Sequence, residues 1–84
     1  MKYNEIQIDY KKNKNKWIEF NRDNFGIVTQ ENVNLAISKD TRKFFKNIGA
    51  KEQIIKEHNR ITIISILGNY RTDTIYTKIG EQKW

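Results

Sequence analysis

The sequence contains no cysteine and no proline, and it has a single histidine, His58. Without cysteine, neither a disulfide framework nor a thiolate metal site can form, and small secreted domains usually depend on such cross-links. The ten acidic residues are scattered and include no Asp-x-Asp, Glu-x-x-His or His-x-x-x-His spacing. Because metal centres need ligands at recognisable spacing, we expect no metal ion in this protein.

Long hydrophobic runs and glycine-rich loops are also missing. The longest apolar stretch, residues 61–67, is interrupted by Thr62 and Ser65 and is too short to span a bilayer. The first ten residues, MKYNEIQIDY, lack the apolar centre of a secretory leader. No Gly-x-Gly-x-x-Gly or Gly-Lys-Ser/Thr motif is present to hold a phosphate. These absences predict a cytoplasmic protein without membrane contact and without a cofactor.

The length of 84 residues predicts one small domain that spans residues 1–84. A chain of this size buries only about 60% of its unfolded surface, so its core is thin. A thin core leaves little room for a deep substrate cleft. Together with the missing catalytic patterns, this predicts a binding protein that is not an enzyme.

Positive charge is abundant, with 16 basic against 10 acidic residues and a net charge of +6. A basic balance favours partners such as nucleic acid or a nucleic-acid-processing protein. However, Lys, Asn and Ile make up 36 of the 84 residues, and all three have AT-rich codons. Such compositions are common in accessory proteins of phages and mobile elements of low-GC bacteria. The basicity therefore has two explanations at this stage, function or codon bias.

The N-terminal third reads as a hairpin followed by further strands. Apolar residues alternate with polar ones over residues 6–10, which predicts a strand. We predict a polar loop over residues 11–16, a returning strand over 17–20 and a second turn over 21–26. A short strand at 27–29 would follow. The alternation of three further apolar residues then predicts another strand: Val33, Leu35 and Ile37.

The periodicity changes to that of a helix over residues 40–48. Phe44, Phe45 and Ile48 form its apolar stripe, which we expect to pack on a sheet. Asp40 or Ser38 is a suitable N-cap, and Gly49 can end the helix in the left-handed conformation.

Residues 50–58 are ambiguous between helix and strand. An inner strand over 61–66, a turn over 68–73 and a strand over 74–79 predict a second hairpin. The predicted fold is therefore α+β, a small antiparallel sheet of four to five strands with one short helix packed on one face. The alternative, a winged helix-turn-helix, requires residues 50–58 to be helical.

Three sets of basic and aromatic residues are candidates for contact with a partner. The first is the lysine-rich loop with its neighbouring tryptophan: Lys11, Lys12, Lys14, Lys16 and Trp17. The second lies on the outer side of the helix: Arg42, Lys43 and Lys46. The third surrounds the second hairpin: Arg60, Tyr70 and Arg71. Lysine suits phosphate contact and aromatic rings can stack on bases, although a solvated loop and an ordinary amphipathic helix would show the same residues.

These candidates favour a non-catalytic module that binds nucleic acid, or a protein–nucleic acid complex, through Lys and Arg. A different class is a phage or mobile-element inhibitor that sterically blocks a host nuclease or defence protein, in the manner of anti-CRISPR proteins. A third is a toxin-like ribonuclease that works with Tyr70, Arg71 and Tyr76. We also expect that an unpaired edge strand can join two copies into a homodimer.

Overall fold

A computed structural model describes residues 1–80, which form an α+β domain around one antiparallel sheet. The strands and helices follow in the order β1 (Lys2–Asn13), β2 (Lys16–Thr29), α1 (Gln30–Ala36), α2 (Lys39–Asn47), β3 (Lys51–Lys56), β4 (Arg60–Leu67) and β5 (Tyr70–Lys78). The spatial order of the strands is β2-β1-β5-β4-β3, so the first and the last strand pair at the centre. No helix within residues 1–80 is long and apolar enough to cross a membrane.

The pairing register divides the side chains of the sheet between two faces, because directly opposed residues point to the same side. The tyrosine face carries Tyr3, Tyr76, Ile61 and Ile63. The three central strands contribute five isoleucines to the isoleucine face: Ile6, Ile8, Ile64, Ile66 and Ile75. Both faces are therefore substantially apolar.

The main buried cluster lies on the tyrosine face, and Ile8 of the isoleucine face is buried as well. Tyr3, Ile63 and Tyr76 of the sheet form one cluster with Val33 of α1, and Val33 is fully buried. Burying an aliphatic side chain of this kind contributes roughly 1.5–3 kcal/mol, so a few residues carry much of the apolar stabilisation of this small domain.

The first hairpin is confirmed, but its loop is much shorter than predicted. β1 continues to Asn13, and the turn consists of Lys14 and Asn15 with φ angles of 50° and 69°. Two positive φ angles are typical of the type I′ turn, whose twist matches that of the flanking strands. The predicted loop over residues 11–16 is therefore mostly strand.

The predicted turn over residues 21–26 is wrong, because β2 runs without interruption through it. The register between β1 and β2 shifts twice, and in each shift one residue of β2 has no partner in β1. These two residues are Phe20 and Phe25. An extra residue of this kind bends a strand and increases its twist, so a single 14-residue strand replaces the predicted strand, turn and strand.

The predicted strand through Val33, Leu35 and Ile37 is also wrong. Residues 30–36 form α1, and a capping box begins it: Asn32 N–H donates to Thr29 Oγ1 at 3.3 Å, and Thr29 N–H donates to Asn32 Oδ1 at 3.1 Å. This reciprocal pair satisfies donors that the first turn leaves free. In the helix Val33 is buried and Ala36 packs against the same cluster, whereas Leu35 is 67% exposed.

The second helix lies close to its predicted position. α2 spans Lys39–Asn47, and Ser38, one of the two predicted N-caps, accepts a hydrogen bond from Thr41 N–H. Its predicted apolar stripe is not buried, however. Phe44 is 60% exposed, Ile48 is also exposed and Phe45 is half-buried. The helical contact with the core cluster comes from α1 and not from the phenylalanines of α2.

The segment over residues 50–58, ambiguous between helix and strand in the sequence, contains a strand. Lys51–Lys56 forms β3, which pairs regularly with β4, so the winged-helix alternative is wrong. The inner strand and the second hairpin are confirmed, with a turn of only Gly68 and Asn69 in place of the predicted 68–73. Gly68 has a φ of 62°, a conformation that glycine adopts without steric cost.

The buried side chain of Tyr76 leads us to expect a loss of folding stability at high pH. Its hydroxyl donates to Glu5 Oε2 at 3.3 Å, and burial, assisted by the negative charge of Glu5, raises the pKa of Tyr76 to about 12. The stability that the protonated Tyr76 hydroxyl contributes is complete below the ordinary tyrosine pKa of about 10. It is lost as the pH rises through about 12, because tyrosine in the unfolded chain ionises first. We expect a loss of roughly 2–3 kcal/mol over that window, measurable by denaturant unfolding.

Absorbance of tyrosinate gives a direct check of this prediction. Tyr76 should titrate late, and Tyr76→Phe should abolish that late component. Tyr70→Phe, which removes an exposed hydroxyl, should leave it in place. If the late component survives in Tyr76→Phe, the assignment is incorrect.

Candidate nucleic-acid interface

The lysine-rich set and Tyr70, one member of the third candidate set, meet at one end of the sheet. β1 lies between β2 and β5, so Lys11 is paired with Ile18 on one side and with Tyr70 on the other. The N–H of Lys12 donates to the carbonyl of Asn69 at 2.7 Å, which joins the turns of the two hairpins. We call this region the hairpin end: Lys11, Lys12, Lys14, Lys16, Trp17, Ile18, Phe20 and Tyr70.

Exposed apolar side chains form a surface at the hairpin end. On the tyrosine face, Ile18 and Tyr70 flank Lys11 in one cross-strand row. Phe20, at the first register shift, packs edge-on against Tyr70 with ring centroids 6.4 Å apart. Both rings are more than half exposed, and a cavity of about 440 Å³ lies beside Phe20, Ile18 and Lys11. Exposed rings next to positive charge are suited to stacking on bases.

Trp17 occupies the other face of the same end. It is paired with Lys12 across β1 and β2, and the Lys12 ammonium lies 5.7 Å from the centre of the indole ring. This distance suits a cation–π contact. Trp17 is half-buried and Lys12 is exposed, so the indole is partly covered by its own lysine. The hairpin end therefore carries aromatic surface and positive charge on both faces.

The lysines and the arginines differ in their partners. Four ion pairs occur within residues 1–80, and each uses one of the four arginines. No lysine in that range lies within 4 Å of a carboxylate oxygen of the same range, and the four lysines of the hairpin end are exposed. Internal pairs neutralise the arginine charges, so the free positive charge of residues 1–80 comes from lysine.

Arg71 is engaged inside the protein, although its neighbour Tyr70 is exposed. Its guanidinium donates to both carboxylate oxygens of Asp73, at 2.7 and 2.8 Å, and lies over the ring of Tyr10. Arg71 also lies on the isoleucine face, opposite to Tyr70. The two residues were predicted as one set, and the structure separates them.

The remaining candidates lie away from the hairpin end. Arg42 of α2 turns inward, donates to the carbonyl of Ala36 and lies 2.9 Å from Glu52, without a well-aligned hydrogen bond to that carboxylate. Lys43 and Lys46 are exposed on α2. Arg60 begins β4 beside the turn between β3 and β4 and pairs with Glu57. Tyr70 lies next to the other end of β4, paired with Leu67.

The structure does not assemble the residues of the ribonuclease hypothesis. Tyr70 and Tyr76 are six positions apart on β5, which corresponds to about 20 Å, and Arg71 is on the other face. A cavity of about 360 Å³ above the tyrosine face is lined by Tyr76, Glu5 and Arg42 among others, but these groups bond to one another or to neighbours. Within residues 1–80, no three His, Cys, Asp or Glu side chains are grouped to hold a metal ion.

Asp9 illustrates how the carboxylates of the tyrosine face are used. It accepts hydrogen bonds from Asn21 Nδ2 and from Thr72 Oγ1, each at 3.0 Å. The hydrogen bond from Asn21, and to a smaller extent that from Thr72, lowers the pKa of Asp9. A carboxylate held ionised by its neighbours is a poor general base near neutral pH, so this residue is better explained as structural.

Sequence reasoning missed two members of the hairpin end, Ile18 and Phe20. Their alternation with polar residues was visible, but it was interpreted only as one side of the returning strand over residues 17–20. Comparisons of the chain with protein-family models, with curated proteins and with solved structures found no match. The fold and the site define a small α+β domain with a lysine-rich, aromatic hairpin end.

Proposed function

We propose that this protein is a non-catalytic binding module that contacts single-stranded nucleic acid through its hairpin end. The observation that carries the proposal is the convergence of four exposed lysines, none paired with a carboxylate of residues 1–80, on a surface that contains exposed aromatic rings. Lysine ammonium groups attract phosphates without reading sequence. Aromatic rings add stacking on bases that are not paired with another strand, worth roughly 1–3 kcal/mol per base.

The architecture supports such a role. The hairpin of β1 and β2 extends two residues beyond the pairing with β5, so its tip projects from the sheet. In this proposal the helical segment packs on the tyrosine face beside the other end of β1 and leaves the hairpin end accessible. Single-stranded nucleic acid is favoured over a duplex because Phe20 and Tyr70 present edges and faces that only unpaired bases can cover.

Replacement of the four tip lysines by glutamine tests the charge contribution. We expect Lys11, Lys12, Lys14 and Lys16→Gln to weaken binding of a short single strand roughly 100-fold at moderate salt, because each phosphate contact releases counterions. The slope of log affinity against log salt should become less steep by about 0.7 for each contact removed. Fluorescence anisotropy over a salt series measures both quantities.

A variant with the same charge change elsewhere provides the control. Replacing Lys39, Lys43, Lys46 and Lys56 by glutamine should leave most of the affinity intact, since these lysines lie on α2 and at the end of β3. Phe20→Ala should weaken binding without changing the salt slope. Equal losses in the two lysine variants would show that net charge, and not the hairpin end, is responsible.

A protein inhibitor is the second candidate, and the exposed apolar row of the hairpin end favours it. Ile18, Phe20 and Tyr70 resemble the aromatic and aliphatic anchors of protein interfaces, and the surrounding lysines would suit an acidic partner. The two functions predict different binding partners for the hairpin end. If a single strand does not bind, and a stoichiometric complex with an acidic nuclease or defence protein is lost in Phe20→Ala, the inhibitor role replaces the first proposal.

A further inference from the structure

The isoleucine face is largely apolar and is only partly buried within residues 1–80: Ile8 and Asp73 at its centre are each 6% exposed, whereas Ile6, Ile64, Ile66 and Ile75 are half-buried. Five isoleucines of this face belong to the three central strands, and Ile27 and Ile55 of the two edge strands extend the surface. The helical residues that reach the sheet do so on the other side, since Val33 joins the cluster of Tyr3 and Tyr76. A sheet that is apolar on both faces normally buries both of them, so the isoleucine face needs a partner.

The charges at the borders of this face indicate which partner fits. One cross-strand row runs over all five strands, from Glu19 on β2 to Lys51 on β3: Glu19, Tyr10, Arg71, Ile66 and Lys51. The row thus ends in an acid at one edge of the sheet, where Glu19 is also paired with Arg22 of its own strand, and in a base at the other. Within it, Arg71 is neutralised by Asp73, so the centre of the face carries little net charge.

We propose that the isoleucine face is the interface of a homodimer. A two-fold axis parallel to β5, the middle strand, places each cross-strand row of one copy over the same row of the other copy. The strand order of the second copy is then reversed. Glu19 of one copy then lies over Lys51 of the other, and the reverse contact occurs at the opposite edge. The two Asp73 carboxylates near the axis are each neutralised by their own Arg71.

The dimensions of the face agree with this arrangement. Five strands at about 4.8 Å and four to five rows along the strands give roughly 24 by 27 Å, or about 650 Å² of footprint. A stable interface buries about 800 Å² of accessible surface on each partner. The accessible surface of the face is larger than its flat footprint because side chains project from it. Two sheets of this kind pack face to face with their strands nearly aligned, as the axis requires.

Reversal of the border charges tests the proposal without disturbing the core, since Glu19 and Lys51 are both exposed. Glu19→Lys also removes the exposed ion pair with Arg22, which contributes little to stability. We expect the wild type to sediment as a dimer in the absence of nucleic acid. Glu19→Lys and Lys51→Glu should each weaken dimerisation roughly 10-fold, because two attractive contacts per dimer become repulsive. The matched controls are Asp23→Lys and Lys56→Glu, on the same two strands but on the tyrosine face, and they should leave the dimer unchanged.

Mixing the two weakened variants is the sharpest form of the test. A heterodimer of Glu19→Lys with Lys51→Glu regains both opposite-charge contacts, so the equimolar mixture should recover wild-type association. A monomeric wild type at the highest accessible concentration overturns the proposal. A pairing between the β3 edges of two copies would be weakened by Lys51→Glu but not by Glu19→Lys, and that result also overturns it. The measurement needs no nucleic acid, so it is independent of the function proposed for the hairpin end.

Discussion

Asp73→Ala is expected to destabilise the domain by about 3–5 kcal/mol, because it leaves a partly buried guanidinium without its carboxylate. Asp73 is only 6% exposed and lies between Ile8 and Ile64 on the isoleucine face. It accepts both hydrogen bonds of the Arg71 fork. In a domain of this size, a loss of this magnitude removes a large part of the total stability. Denaturant unfolding at one protein concentration provides the measurement.

A second pair in the same protein serves as the control. Glu57 and Arg60 form a fork of similar chemistry at the turn between β3 and β4, but both side chains are about half exposed. Glu57→Ala should therefore cost less than about 1 kcal/mol. Replacing both Arg71 and Asp73 with Met and Leu should recover much of the loss seen in Asp73→Ala, because no charge remains buried. Equal effects of Asp73→Ala and Glu57→Ala would contradict the importance of burial.

This pair also explains why the candidate site could be predicted only in part. Tyr70 and Arg71 are adjacent in sequence, and sequence reasoning treated them as one contact set. In a strand, neighbouring side chains point to opposite faces, so Tyr70 became exposed on one face and Arg71 became engaged by Asp73 on the other. Which face of β5 would be open depended on the position of β5 in the sheet, and a single sequence does not contain that information.

The convergence of the two hairpins was equally hidden. Lys11 and Tyr70 are paired although they are separated by most of the chain. Each hairpin was predictable because alternation and turn residues are local signals. The pairing of β1 with β5 is a choice between several strand orders that satisfy the same local patterns. The lysine-rich loop and the tip of the second hairpin therefore appeared as separate candidates.

The two bulges of β2 concealed this 14-residue strand for a different reason. Phe20 and Phe25 are extra residues without partners in β1, and each one shifts the alternation of apolar and polar residues by one position. A pattern of period two then breaks, and the polar residues between the two phenylalanines resemble a turn. The bulges also leave both rings exposed on the edge strand, and Phe20 thereby becomes part of the hairpin end.

The error over α1 has a physical cause that experiment can examine. A helix of seven residues with one buried side chain has no apolar stripe, so the spacing of Val33, Leu35 and Ile37 gave a period of two by coincidence. The signal that was present is the capping pair of Thr29 and Asn32. Asparagine at the third helical position is a less familiar partner than glutamate or glutamine, and the start of the helix went unrecognised.

Val33→Ala and Leu35→Ala distinguish the helix from the strand. In a strand both side chains would share one face and lose similar stability. In α1, Val33 is 0% exposed and Leu35 is 67% exposed, so Val33→Ala should cost about 2–3 kcal/mol for the lost burial and the cavity. Leu35→Ala should change stability by less than about 0.5 kcal/mol. For a domain of 84 residues the first loss lowers the melting temperature by roughly 10–20 °C, which thermal unfolding resolves easily. Comparable losses in the two variants would place both side chains in the core, where only the predicted strand could bring them.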